Sequence, residues 1–249
     1  MNSIFKYIFI GFIQGITEFL PISSSGHIVI FGSLFNMDNL MLISIAAHLG
    51  TLFAVVFCYR KRIVELIRRP LNTTNLNLII ATIPTILTVL IFHSFLDKSF
   101  SISSIIWGFL ISSLLLTISD LIKDRNLDIN KRRSIFMGIG QSLALLPGIS
   151  RSGTTLCFGL ISGINKEKAL DFSFLMSIPV ILCSVVYECI KLSTDYSNVS
   201  ILSIITTIVS SFIFGILSIK LMLKLIKNNN LYYFAIYLIV ISLVLLLAI

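Results

Sequence analysis

Long apolar runs separated by short polar stretches dominate the chain. A helix needs roughly 20 apolar residues to cross about 30 Å of hydrocarbon. Six stretches reach or approach that length, at about 42–59, 76–96, 100–122, 169–190, 200–226 and 231–249. Two further apolar regions, 4–35 and 135–163, are broken by Ser, Gly and Pro: Leu20-Pro21-Ile22-Ser23-Ser24-Ser25-Gly26-His27 and Leu146-Pro147-Gly148-Ile149-Ser150-Arg151-Ser152-Gly153. Each half of these regions is too short to span. Irregular backbone at membrane depth is tolerated only where protein or water satisfies its polar groups. The pattern therefore predicts an all-α integral membrane protein of six transmembrane helices plus two re-entrant helical hairpins, ten helices in all.

Composition narrows the class further. The 249 residues are 56% hydrophobic and 12% charged, with a mean hydropathy of +1.00. A soluble domain carries about a quarter charged residues, so a water-soluble globule and a disordered chain are excluded. The net charge of +8 does not argue for a nucleic-acid partner, because the basic residues lie in short clusters between apolar runs, as membrane proteins distribute them. Cys58, Cys157, Cys183 and Cys189 sit inside apolar runs without metal-site spacing and are expected to be small buried hydrophobes. The first apolar run is not framed as a cleavable signal.

Fifteen of the nineteen basic residues fall in four clusters: 60–69, 123–133, Lys166 with Lys168, and Lys220, Lys224 and Lys227. With six spans and two hairpins that return to their side of entry, all four clusters share one face, and the positive-inside rule makes that face cytoplasmic. Lys6, Lys98 and Lys191 are left outside, and Arg151 lies in a hairpin turn.

Sliding the sequence against itself by 127 residues aligns the two hairpins without a gap. Eight of the twenty-two positions in 11–32 are identical, including Gly11/Gly138, Gln14/Gln141, Ser23/Ser150, Ser25/Ser152 and Gly26/Gly153. Each hairpin precedes three spans, and the charge-derived topology sends the first in from outside and the second from the cytoplasm. A single membrane domain, 1–249, is thus expected to consist of inverted repeats 1–122 and 123–249, with a shared site near the midplane.

The two turns carry the candidate chemistry. Gln14 and Glu18 lie four residues apart on one helix face, followed by three serines, Gly26 and His27. Ionisable residues in membrane segments are costly and usually mark function. The second turn supplies Ser150, Arg151, Ser152, Gly153, Thr154 and Thr155 at a helix start. Hydroxyls and free N–H groups there suit an anion, and the Arg fork suits phosphate. An acid able to hold a divalent metal, a phosphate-binding Arg and a Ser/His pair describe phosphoryl chemistry at membrane depth.

The stretch Gln14-Gly15-Ile16-Thr17-Glu18-Phe19-Leu20-Pro21-Ile22-Ser23-Ser24-Ser25-Gly26-His27 resembles the first signature of the bacterial undecaprenyl-pyrophosphate phosphatases of the bacitracin-resistance type. Pro147-Gly148-Ile149-Ser150-Arg151-Ser152-Gly153 resembles their second. His48-Leu49-Gly50-Thr51, Phe172-Ser173-Phe174 with Pro179, and Lys224-Leu225-Ile226-Lys227 resemble further landmarks, so the likeness covers essentially the whole chain. The resemblance implies an enzyme of the bacterial cytoplasmic (inner) membrane, removing the terminal phosphate of undecaprenyl pyrophosphate with a divalent metal ion, Mg2+ or Ca2+; the charge-derived topology, which sends the first hairpin in from outside, opens its site to the outer face. It makes Glu18 the essential acid, Ser24 and His27 the nucleophile/base pair, whose order stays open, and Arg151 the phosphate clamp. Gln14, Ser23, Ser25, Gly26, Ser150, Ser152, Gly153 and Thr155 would bind the polyprenyl pyrophosphate, and Glu18 with Gln14 would bind the metal. The family carries Glu or Gln at the position of Gln14, so ligation here leans on Glu18, phosphate oxygens and water. Membrane lipid is the other partner, and the chain is compatible with a monomer or a homo-oligomer.

A transporter or lipid flippase would share the inverted-repeat plan, but it has no evident need for Ser, His, Glu and Arg gathered in two turns. A Lys/Arg–His–His lipid phosphatase signature is absent. His48 and His93 lack a comparable polar motif and read as structural or interfacial. Asp120, ending a span, is expected to be solvated, and the remaining charges read as loop charges.

Overall fold

The computed structural model describes residues 3–37, 39–99, 101–122, 125–191, 199–228 and 231–248. Lys123, the expected span ends Phe100 and Ile249, and the side chain of Lys98 lie outside the described residues. Among the described residues ten α-helices follow in order: α1 Ser3–Phe19, α2 Ser24–Leu34, α3 Leu40–Arg68, α4 Thr73–Lys98, α5 Ile102–Leu121, α6 Lys131–Leu143, α7 Arg151–Ile161, α8 Lys166–Lys191, α9 Ile201–Leu225 and α10 Leu231–Ala248. Among the described residues the remaining regular structure is a short 3-10 turn, Ile226–Asn228, and one isolated bridge between Leu127 and Ile164. Six helices, α3, α4, α5, α8, α9 and α10, are long and apolar enough to cross a membrane. The chain is an all-helical, multi-pass membrane protein. Helix α3 outruns its apolar stretch by nine residues, to Arg68, because Arg60–Arg68 holds good helix formers and an Arg62–Glu65 pair at 2.8 Å.

Helices α1 and α2 fold back on one another: the Phe9 ring lies 5.4 Å from Phe31 and 5.3 Å from Phe35, and Lys6 Nζ donates to the Phe35 carbonyl at 2.7 Å. Helices α6 and α7 do the same, with Phe136 4.7 Å from Phe158 and Arg133 Nε donating to the Ser162 carbonyl at 3.3 Å. The linker before α6 is tied to the start of α8 by Lys168 Nζ, 2.5 Å from Asp128 Oδ1, which holds the Asp128 carboxyl below the usual carboxylate range.

The first helix of each pair packs against the other half of the chain, α1 on α9 and α6 on α4. Ser210 Oγ and Ser218 Oγ of α9 donate to the carbonyls of Ile8 and Ile16 at 2.7 and 2.8 Å; contacts advance together along both helices, so α1 and α9 run parallel. On the other side Asn77 Nδ2 donates to the Ile129 carbonyl at 3.5 Å and Gln141 Nε2 to Thr85 Oγ1 at 3.1 Å, so α6 and α4 are parallel too. Both crossings are close because a glycine sits there: a Cβ on Gly11 would come within 2.6 Å of Ser210 Cβ, and one on Gly138 within 2.2 Å of the Ala81 carbonyl. Lipid tails give helices no hydrophobic reason to associate, so small residues and interhelical hydrogen bonds carry the packing.

Three expectations need correction. Cys157 is buried and Cys58 half-buried, but Cys183 and Cys189 are exposed on α8; a lipid-facing surface is as apolar as the interior, so an apolar run does not by itself mean burial. Asp120 is half-buried, and its Oδ1 is buried without a partner among the described residues. Glu188 is no loop charge: it lies inside α8, with Oε2 buried and without a partner among the described residues.

Candidate active site

The site forms where the two hairpin turns meet. Ser152 Oγ donates to the Leu20 carbonyl at 2.9 Å, fixing one turn against the other. Two short helices start there, each capped by the serine before it: Gly26 N donates to Ser23 Oγ at 3.5 Å and Gly153 N to Ser150 Oγ at 3.1 Å. Ser24 and Arg151 are the first residues of α2 and α7, so both begin helices whose N-terminal dipole ends favour negative charge. The turns reach this arrangement differently. In the first, Ser23 takes a positive φ of 67°; in the second, Gly148 does, at 82°. A non-glycine residue there costs on the order of 1–3 kcal/mol, and such strain is held only where the surroundings over-determine it.

Between these helix starts stands Glu18, near the end of α1. Glu18 is 7% exposed, and both its carboxylate oxygens have partners: Oε1 pairs with Arg151 Nη2, while Oε2 accepts from Ser24 Oγ at 2.5 Å and from Gln14 Nε2 at 3.0 Å. Gln14 Nε2 also reaches Thr51 Oγ1 on α3 at 3.5 Å. That leaves Gln14 Oε1 and Arg151 Nη1 buried without partners among the described residues. Next to one carboxylate, the site thus holds one open oxygen acceptor and one open guanidinium donor. A hard divalent cation takes oxygen ligands, and Gln14 Oε1 with Glu18 offers them. Among the described residues no three His, Cys, Asp or Glu side chains cluster to complete a shell, so phosphate oxygens and water would fill the rest.

The other expected residues fall into two groups. Ser25 Oγ lies 3.3 Å from Ser23 Oγ, and Gly26 lets α2 pack on α5, since a Cβ would meet the Phe109 ring at 2.6 Å. Ser150 N donates to Ser112 Oγ at 2.9 Å; Thr155 Oγ1 donates to the Arg151 carbonyl at 2.8 Å and lies 2.5 Å from Ser173 Oγ. Ser152 and Thr155 therefore use their hydroxyls on protein in this state. His27 is 1% exposed, and its hydrogen bonds go to the Ser23 carbonyl and to Tyr237 Oη, each at 2.7 Å, while Ser24 turns to Glu18. The structure brings Gln14, Glu18, Ser24 and Arg151 into one contact network and directs His27 to Tyr237. Thr51 and Tyr237 were not identified as site residues from sequence. Thr51 lies in the His48–Thr51 motif and could have been found there; Tyr237 is one of three tyrosines in a span whose other residues, Ser242 apart, are apolar, and it carries no local signal.

The sequence model of a family described as bacitracin resistance protein BacA matches residues 7–244. An undecaprenyl-diphosphatase of Carboxydothermus hydrogenoformans is 35% identical over 245 residues, covering 95% of this chain and 94% of the relative. One of Borrelia recurrentis is 37% identical over 266 residues, 98% of both chains, and one of Thermosipho melanesiensis is 39% identical over 245 residues, 94% of this chain and 95% of the relative.

Proposed function

Because the chain belongs to the bacitracin resistance protein BacA family, we propose that it hydrolyses undecaprenyl pyrophosphate to undecaprenyl phosphate and inorganic phosphate, recycling the lipid carrier for cell-wall synthesis and conferring bacitracin resistance. The observation that carries this reading is the convergence of Glu18, Ser24 and Arg151, with one guanidinium donor left open. The terminal phosphate binds Arg151 Nη1 and the free N–H groups at the starts of α2 and α7. Ser24 Oγ attacks phosphorus as its proton passes to Glu18. The anhydride bond breaks with its electron pair on the leaving oxygen, which takes that proton from Glu18 as undecaprenyl phosphate departs, and His27 then takes the proton of the water that releases phosphate from Ser24. Attack by His27 itself is the alternative order. A divalent ion, Mg2+ or Ca2+, held by Glu18 and Gln14 Oε1, would neutralise charge on the transferring phosphoryl oxygens.

The finer architecture is part of the proposal. The two hairpins are re-entrant and the halves are inverted repeats. Support comes from the 127-residue self-match, from Gly11 and its register mate Gly138 lying at the two crossings, and from the parallel α1–α9 and α6–α4 contacts. Given the four basic clusters, this sends the first hairpin in from outside a bacterial inner membrane, and the pocket opens outward. Detergent-purified protein, where no compartments exist, should release phosphate from a polyprenyl pyrophosphate in Mg2+ or Ca2+ and stop on chelation. No release with either ion would overturn the phosphatase reading. In sealed vesicles of known orientation, an impermeant short-chain substrate should be hydrolysed from the outer face; hydrolysis from the cytoplasmic face alone would reverse the assigned sidedness.

A further inference from the structure

Tyr237, on the last span, lies outside both signature motifs, yet its hydroxyl holds the one ring nitrogen through which His27 can change its protonation. The imidazole sits between the rings of Phe109, at 5.2 Å, and Tyr237, at 5.7 Å and tilted by 11°. Nδ1 is 2.7 Å from the Ser23 carbonyl. A carbonyl oxygen only accepts, so Nδ1 carries hydrogen whether the ring is neutral or charged. Proton gain and loss are thereby assigned to Nε2, 2.7 Å from Tyr237 Oη. In the neutral ring Nε2 has a lone pair and the phenol donates to it. Tyr237 is held in place: two residues earlier, the Ala235 carbonyl accepts from Ser113 Oγ at 3.0 Å. It is 40% exposed where His27 is 1% exposed, so the phenol bridges the buried imidazole and the surface of the bundle.

We infer that Tyr237 is the positioning residue of His27 and relays its proton during hydrolysis; the inference rests on the role of His27 proposed above. As water bonds to the phosphorus of phosphorylated Ser24, its O–H bond breaks and that proton goes to Tyr237 Oη, while the phenolic proton passes to His27 Nε2. Tyr237 ends neutral as it began, and the imidazole gains one positive charge. The phosphorus–oxygen bond to Ser24 breaks with its electron pair on the serine oxygen, and the proton on Nε2 returns to that oxygen through Tyr237 Oη.

Tyr237→Phe keeps the ring stack and deletes only the hydroxyl. It should lower kcat for phosphate release at least tenfold with KM within twofold of the parent. In protein labelled with 15N-histidine, and assigned through His27→Ala, the Nε2 resonance of His27 should shift in the Phe variant while Nδ1 stays in place. A kcat within twofold of the parent overturns the relay, and an unmoved Nε2 resonance overturns the contact itself. Near-normal turnover by His27→Ala would instead refute the role of His27 on which the inference rests, and the nitrogen resonances, read without turnover, keep the two failures apart.

Discussion

The two hairpins share a frame and differ in what they attach to it. In the 127-residue register Ser23 and Ser150 both cap a helix, Ser25 and Ser152 both lie 3.3 Å from the capping hydroxyl, and Gln14 and Gln141 both donate to a threonine of a neighbouring helix. The positions that differ hold the chemistry: Glu18 faces Leu145, Ser24 faces Arg151 and His27 faces Thr154. A repeated scaffold thus supplies two helix starts at one point, and divergence within it places an acid, a hydroxyl and a guanidinium there. The acid comes from one half and the guanidinium from the other, so neither half holds the site alone.

The sharpest test of this division is Arg151→Lys. The charge that balances buried Glu18 is kept, but the fork that can hold Glu18 and phosphate at once is lost. Turnover should fall about 100-fold, roughly 2.7 kcal/mol of transition-state stabilisation, with the protein still monodisperse by size-exclusion chromatography. Turnover close to that of the parent would show that Arg151 serves the frame rather than the reaction.

A smaller effect is expected from the paired glutamines. Gln14→Glu adds a carboxylate beside Glu18 and should lower the Mg2+ or Ca2+ concentration for half-maximal turnover about tenfold, as a ligand of higher charge does. Gln141→Met should leave that concentration unchanged, because the open oxygen of Gln141 lies in the other hairpin, beside Thr85. Equal metal titrations for all three proteins would remove Gln14 from the ligand set.

The smallest effect contrasts the two caps. Ser150→Gly loses a 3.1 Å cap and gains no conformational relief, so its melting temperature in detergent should drop. Ser23→Gly loses a longer, 3.5 Å cap but removes a side chain from a φ of 67°, and its melting temperature should hold or rise. A separation of about 1 kcal/mol between the two is expected. Equal losses would mean that the first turn holds no strain.

Much of this was legible in the sequence. The six spans and both turns follow from run length and from the Pro, Ser and Gly interruptions, and the approach of Glu18 to Arg151 follows from the register match between the turns. The partners on intact spans were not legible. A soluble helix marks its inward face with apolar residues and its outward face with polar ones, but α10 is apolar all round, so nothing distinguishes Tyr237 from Tyr233 until the packing is known. The same uniformity hid the outward direction of Cys183 and Cys189. Charge at a span end was likewise ambiguous: Asp120 and Glu188 occupy positions where solvent and interior are a turn apart.

The parallel seating of α1 on α9 has a consequence for biosynthesis. The first hairpin leaves the ribosome well before the helix it docks on, which begins at Ile201. At about 5–20 residues per second, that helix follows Phe19 by roughly 10–40 s. For roughly the first 7–26 s of this interval a polar turn bearing Glu18 has neither Arg151 nor α9 to settle against, and for the rest it still lacks α9. An insertion machinery that shelters it, or a chain that places it in the membrane only after the second half is made, is therefore a requirement of the architecture. Production as two separate fragments should yield active protein only when both are made together.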